Sequence, residues 1–289
     1  MDTDDRSGGV LVLGGTSLVG RFLLPRLAAG GVAATALSRN PPAAGPAGVD
    51  WLAGDIDAAD LAARLPPAST VFSLSPIWLL PKALPTLLAG GMTRIVAFSS
   101  TSRFTKQDSP DPYERAVAQR LAEGEAAVMD SGAAWTILRP TLIYAEGQDG
   151  NVSRLARLIA RFGVLPLAGR GEGLRQPVHA DDLAQGALAA VGAPAAVNRA
   201  YELPGGETLA YREMAARVFR ALGKPPRVVA VPPLAWRIGL ALASPFLPGA
   251  TAAMGTRMAE DLTFDGGPAA RDFGWAPRPF RPDFTGVKL

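Results

Sequence analysis

Apolar and polar positions alternate along the first half of the chain in two periods. Short runs of β-favouring apolar residues occupy 10–13, 32–37, 49–53, 70–74, 94–98 and 135–138. They read as buried strands. Between them, apolar residues recur at helical spacing and predict helices over 18–29, 58–65, 81–89 and 113–129. Gly30-Gly31, Pro66-Pro67 and Gly90-Gly91 supply the stops, and Asp57 is placed to cap the second helix. Pro25 falls inside the first helix and is expected to kink or loosen it. Strands alternating with helices in this way predict a mainly parallel, doubly wound α/β sheet with right-handed crossovers.

From about Gln148 the alternation weakens. Helices are expected over 152–162 and 211–222, short strands at 175–178, 201–203 and 228–231, and a helix from an Asp181-Asp182 cap through 191. This pattern divides the chain into a nucleotide-type domain over 8–147 and a small C-terminal α/β substrate lobe with C-terminal helices over 148–289, interwoven with the first. The apolar stretch 234–247 contains Arg237 and Pro245 and is too short and too interrupted to span a bilayer. It reads as a helix of the second lobe in preference to a peripheral membrane contact.

The first strand runs into Gly14-Gly15-Thr16-Ser17-Leu18-Val19-Gly20. A strand, a glycine turn and a helix start form a site for a pyrophosphate, because free N–H groups and the positive end of the helix dipole point at it. Gly20 lets the helix lie close on the strand. The fold expected is therefore of the Rossmann type, and the ligand a dinucleotide.

Composition narrows the function. The chain has 289 residues, 48% hydrophobic and 19% charged, which describes a globular protein. It has no cysteine, which excludes disulfides, thiolate metal sites and a cysteine nucleophile and is compatible with the cytoplasm. Its single histidine argues against a zinc site. A net charge of +3 without a basic run argues against nucleic acid. The acidic start, residues 1–5, lacks the features of a signal peptide.

In a Rossmann unit the end of the second strand faces the adenosine ribose. An acid there suits NAD, and an arginine suits the 2′-phosphate of NADP. The chain has Ser38-Arg39 and no acid, so NADP(H) is expected over NAD(H). Asp55 and Ile56 follow the third strand, where the carboxylate can accept from the adenine amino group. Ser73 ends the fourth, where a small residue leaves room for the cofactor.

Taken in order, these motifs, with Phe98-Ser99-Ser100-Thr101, Leu138-Arg139-Pro140-Thr141-Leu142-Ile143-Tyr144 and Val178-His179-Ala180-Asp181-Asp182-Leu183-Ala184, resemble the extended short-chain dehydrogenase/reductase superfamily in its NAD-dependent epimerase/dehydratase branch. Residues 10–190 carry the resemblance well and the remainder loosely. Ser17 stands where the family usually has its middle glycine, as in atypical members such as NmrA-like proteins and the nucleotide-binding accessory subunit of respiratory complex I. The resemblance implies a cofactor shell of Gly14, Thr16, Ser17, Leu18, Val19, Ser38, Arg39, Asp55, Ile56, Ser73, Ser99 and Pro140. It implies a structural role for His179 and a small-molecule substrate. The helix from Tyr113 resembles the one through which the superfamily forms homodimers, although its exposed face is weakly apolar.

The superfamily's chemistry uses a tyrosine, a lysine four residues on, and a Ser/Thr after the fifth strand. Thr101 and Tyr113 match the Ser/Thr and the tyrosine, but Val117 stands in place of the lysine. A tyrosine of pKa about 10 without a nearby cation is a poor base at neutral pH. Lys106, in the preceding loop, is the nearest lysine in sequence. Tyr144, Arg175 and Gln176 are substrate-side candidates, and Arg139 reads as an ion-pair partner. The reading is an NADP(H)-dependent oxidoreductase acting on a carbonyl or alcohol carbon. Its alternatives are a non-catalytic NADP(H) sensor or structural subunit, and a sugar-nucleotide epimerase or dehydratase.

Overall fold

The computed structural model describes residues 9–232, 235–236 and 258–289. The expectations for residues 1–5, and for 234–247 apart from Ala235 and Trp236, lie outside the described residues.

The six apolar runs form β1 (Gly9–Leu13), β2 (Ala34–Ser38), β3 (Val49–Ala53), β4 (Ala68–Ser73), β5 (Arg94–Phe98) and β6 (Ala134–Pro140). In the second half lie β7 (Ile143–Tyr144), β8 (Leu165–Ala168), β9 (Leu174–Arg175), β10 (Val178–His179), β11 (Arg199–Leu203), β12 (Leu209–Ala210) and β13 (Val228–Val231). The helices are α1 (Gly20–Ala29), α2 (Leu61–Arg64), α3 (Leu80–Ala89), α4 (Ser102–Thr105), α5 (Pro112–Met129), α6 (Val152–Phe162), α7 (Ala180–Gly192), α8 (Tyr211–Ala221) and α9 (Gly267–Phe273).

Seven strands make one sheet in the order β11-β6-β5-β4-β1-β2-β3, all parallel. Strand side chains alternate between its faces. Val12, Phe72 and Val96 pack with Leu23 and Leu27 of α1 and Ala184 and Ala187 of α7. Leu11, Leu13, Val71 and Ile95 pack with Leu80 and Leu84 of α3 and Leu121 and Val128 of α5. The strand order reverses direction between β1 and β4. That switch point opens a crevice at their carboxyl ends, where α/β sheets bind ligands.

The second half is woven into this sheet, because α7 covers one face and β11 forms an edge. A separate core, with Tyr144, Leu155, Ile159, Leu167, Phe219 and Phe280, holds the outer lobe.

α1 continues on both sides of Pro25 as one helix. Local expectations needed three corrections. The second helix shortens to Leu61–Arg64, and its N-cap position is Asp60, not Asp57. The expected strand over 175–178 splits into β9, which pairs with β12, and β10, which pairs with β7. His179, not the aspartates, caps α7: its ring accepts the Asp181 N–H at 3.1 Å. Asp181 and Asp182 lie in the first turn and take arginines instead. Arg26 Nε is 3.1 Å from Asp181, and Arg278 Nε is 2.7 Å from Asp182.

Candidate functional site

The crevice is built first from backbone. Gly14 has φ +79°, and a Cβ there would stand 2.7 Å from Ser75 Oγ and 3.0 Å from Ser75 N, so this turn and the β4 end already touch. The N–H groups of Gly14 and Gly15 both donate to Leu37 O, at 3.0 and 3.1 Å. Ser17 Oγ accepts the Gly20 N–H at 3.1 Å and closes the helix start. A Cβ on Gly20 would lie 2.3 Å from Gly15 O, so α1 sits directly on the turn. Val19 is buried, and Leu18 is half-buried beside it.

Thr16 and Ser38 share a hydrogen bond of 2.7 Å, which ties the turn to the end of β2. Ser38 Oγ also accepts the Asn40 N–H at 3.3 Å. Arg39, between them, is exposed and makes no hydrogen bond or ion pair among the described residues. Gly54 N donates to Ser38 O at 2.9 Å, setting the β3 end beside it. Asp55, exposed, accepts the Asp57 N–H at 3.3 Å, while Ile56 is buried. Ser73 is fully buried, and its hydroxyl has no hydrogen-bond partner among the described residues. An orphaned hydroxyl at the end of β4, glycines that admit no Cβ and an unpaired arginine at the β2 end together fit a dinucleotide.

The other half of the site, at the ends of β5, β6 and β11, is filled by side chains. Glu125 of α5 is fully buried. Arg139 forks onto it with contacts of 2.9 and 2.7 Å, and also reaches Glu202, opposite it on β11, at 3.0 Å. Arg103 and Ser99 complete the set around Glu125. Burial alone would raise the Glu125 carboxyl. The hydrogen bonds from Arg139 and Ser99 and the charges of Arg139 and Arg103 outweigh it and hold its pKa below the ordinary carboxylate value. Arg139 is thus the ion-pair partner that the sequence implied. Ser99, expected in the cofactor shell, has its hydroxyl engaged on Glu125. Glu125 itself was not singled out from sequence. Its signal is its place on the buried stripe of α5, with Ala118, Leu121 and Val128.

The expected catalytic pair is arranged unequally. Thr101 is buried, and both its N–H and its hydroxyl donate to Pro140 O at 3.2 Å. Tyr113 is 69% exposed at the start of α5, where Asp111 caps the helix. The structure does bring Lys106 nearby. Its amine lies 3.8 Å from Glu114, the residue after Tyr113, and Ser109 Oγ donates to the other Glu114 oxygen at 2.7 Å. Val117 packs against the core under α5.

The substrate-side candidates are committed to the fold. Tyr144 is 1% exposed, edge-on to His179 and Phe280 with centroids 5.0 Å away in each case. Burial, then the charges of Glu146 and Asp182, push its hydroxyl pKa well above the ordinary value. Arg175 is buried and donates to Leu174 O at 2.7 Å and Glu260 O at 2.8 Å. The Gln176 side chain holds Phe264: its oxygen accepts the Phe264 N–H at 2.8 Å, and its amide donates to Phe264 O at 3.2 Å. His179 is structural. Since its Nδ1 accepts from Asp181, its proton sits on Nε2, 3.2 Å from Glu146.

No helix among the described residues is long and apolar enough to cross a membrane, and no group of three or more His, Asp or Glu is set to hold a metal ion.

A glycine-rich β1–α1 turn at the switch point of this sheet defines a dinucleotide-type Rossmann protein. Residues 96–236 match the family described as RmlD substrate binding domain. The chain is 31% identical over 233 residues to a (4-alkanoyl-5-oxo-2,5-dihydrofuran-3-yl)methyl phosphate reductase of Streptomyces griseus, covering 75% of each chain. It is 29% identical over 233 residues to an NAD(P)H azoreductase of Xenophilus azovorans, covering 77% of each. Among solved structures, MoeE5 in complex with UDP-glucose and NAD superposes with a TM-score of 0.74 at 19% identity, over 94% of both chains. The chain belongs to the extended short-chain dehydrogenase/reductase superfamily, in its NAD-dependent epimerase/dehydratase branch.

Proposed function

We propose that this protein is an NADP(H)-dependent oxidoreductase that reduces a carbonyl carbon or oxidises the corresponding alcohol. The observation that carries the cofactor half is the glycine cradle with unpaired Arg39 beside the Thr16–Ser38 bond. The relatives named as reductases support the reaction class. When bound, the dinucleotide supplies the hydride. Gly14 to Val19 hold the pyrophosphate against the start of α1, and Arg39 holds the 2′-phosphate through charge-assisted hydrogen bonds. Asp55 and Ile56 border the adenine, and Ser73 and Pro140 flank the path to the reacting end. Thr101, its hydroxyl turned from Pro140 O, orients the substrate oxygen, and Tyr113 exchanges a proton with that oxygen.

One observation favours a second reading, a binder without turnover. Val117 fills the lysine position with core packing, and Lys106 is paired with Glu114. A sugar-nucleotide epimerase reading is supported by fold neighbours and by a relative named UDP-glucose 4-epimerase, 26% identical over 122 residues.

Calorimetric titration with NADPH and NADH, repeated on Arg39→Ala, tests the cofactor. NADPH is expected to bind more tightly, and the variant to lose at least tenfold for NADPH with NADH unchanged, about 1.4 kcal/mol. Turnover of a carbonyl panel by wild type and Tyr113→Phe then separates the two readings. Activity lost in the variant with affinity intact supports catalysis, and no turnover in either supports the binder.

A further inference from the structure

Beyond the nucleotide crevice, the carboxyl ends of β5, β6 and β11 carry a pair of aromatic rings held in place with unusual care. Phe104 lies on α4, three residues after Thr101, and is 39% exposed. Its ring is 6.4 Å from that of Phe264, tilted by 36°, so the two form an open wedge in place of a closed stack. Each ring is held by polar neighbours. The guanidinium groups of Arg139 and Arg103 lie 5.1 and 5.5 Å from the centre of the Phe104 ring, and both are anchored on buried Glu125. Phe264 comes from the far end of the chain, and the Gln176 side chain grips its N–H and its carbonyl together. Gln176 is held in turn: its carbonyl accepts from Thr141, and its amide reaches Thr208 at 3.2 Å.

Phe104 stays 39% exposed and Phe264 is half-buried beside it, so the pair leaves apolar ring surface that an apolar ligand can cover. The charges beneath the wedge cancel: Glu125 and Glu202 stand against Arg103 and Arg139. The surface therefore selects for flat apolar area, not for an anion. We propose that Phe104 and Phe264 receive the apolar, planar part of the carbonyl substrate, an aryl or conjugated acyl group, with Gln176 as the positioning residue for Phe264. This assignment rests on the oxidoreductase reading, because Phe104 lies on the helix that follows Thr101, the residue assigned to the substrate oxygen. Stacked and edge-on aromatic contacts at these separations add attraction beyond the area they bury, so removal of either ring is read directly as lost affinity.

The test uses the full chain saturated with NADP+, which forms no product with a ketone. Calorimetry compares 2-acetylnaphthalene with acetone. The bicyclic ketone is expected to bind measurably and acetone not. Phe104→Ala and Phe264→Ala are each expected to weaken 2-acetylnaphthalene at least fivefold while leaving NADP+ affinity at the wild-type value, which also reports that the variants fold. Gln176→Ala weakens it less, and Phe104→Tyr, which keeps the ring, restores most of it. If NADP+ binds normally while the ketone binds neither form, or binds wild type and both alanine variants equally, the wedge assignment is overturned and the oxidoreductase reading stands. Protein that takes up no dinucleotide overturns both.

Discussion

The two halves of the cleft are made from different materials. At β1, β2 and β4 the site is backbone: glycines without room for a Cβ, N–H groups at a helix start, and short hydroxyls. At β5, β6 and β11 it is long side chains locked together, with Glu125 holding Arg103, Arg139 and Ser99. A backbone cradle recognises what is constant in a ligand, the phosphates of a dinucleotide. A side-chain wall can be altered residue by residue without disturbing that cradle. The difference explains how one fold keeps its cofactor while its substrates change.

The sharpest way to separate the halves is to remove Glu125. In the Glu125→Ala variant Arg139, 8% exposed, loses both forked contacts and keeps only Glu202 as a counter-charge. Breaking such a pair from one side costs about 3–5 kcal/mol. Urea unfolding is expected to show that loss, while NADPH affinity of the folded protein stays at the wild-type value. A fall in NADPH affinity of similar size would mean that the halves are one unit.

The converse substitution is Gly20→Ala. Its Cβ would press on the Gly15 carbonyl, which is backbone and cannot turn aside. Forcing α1 off the turn costs about 1–3 kcal/mol of stability, as overpacking does. NADPH affinity is expected to drop at least tenfold, about 1.4 kcal/mol. Unchanged NADPH binding in this variant would show that the dinucleotide does not rest on the β1–α1 turn.

The same contrast decided what the sequence revealed. The strand runs, the sheet class and the glycine turn are local signals, and β1 to β6 appear within a few residues of the predicted runs. The Arg39 position follows from counting to the end of β2. The substrate half depends on partners distant in sequence. Gln176 reads as a substrate contact because it stands where the resembled family's second lobe begins to line the cleft, and its side chain binds Phe264, 88 residues on. Ser99 is drawn 26 residues down the chain to Glu125. Tyr144 reads equally as a pocket residue or as packing, and only the fold sets it between His179 and Phe280. Even the α7 cap went to His179 because tertiary arginines claimed the aspartates. A local propensity gives way wherever a buried charge must find its partner.

The smallest expected effect is in acid, and it too belongs to the side-chain half. Glu125 and Glu146 are both held below the ordinary carboxylate pKa. In each, burial opposes the shift, and the partners, Arg139 with Ser99 and Arg103 for one and His179 for the other, overcome it. A carboxylate whose folded pKa is depressed binds fewer protons folded than unfolded across the interval between the two values, so stability rises with pH there. The contribution is complete above the unfolded value of about 4.3 and is lost as pH falls through the folded one. Thermal melts between pH 6 and pH 3 should therefore fall most steeply below about pH 4.3. Glu125→Gln, which cannot titrate, starts from a lower melting temperature and is expected to fall less over that window. If wild type and Glu125→Gln lose melting temperature in parallel, the acid sensitivity lies elsewhere, and the buried pair is not what distinguishes this half from the glycine-built one.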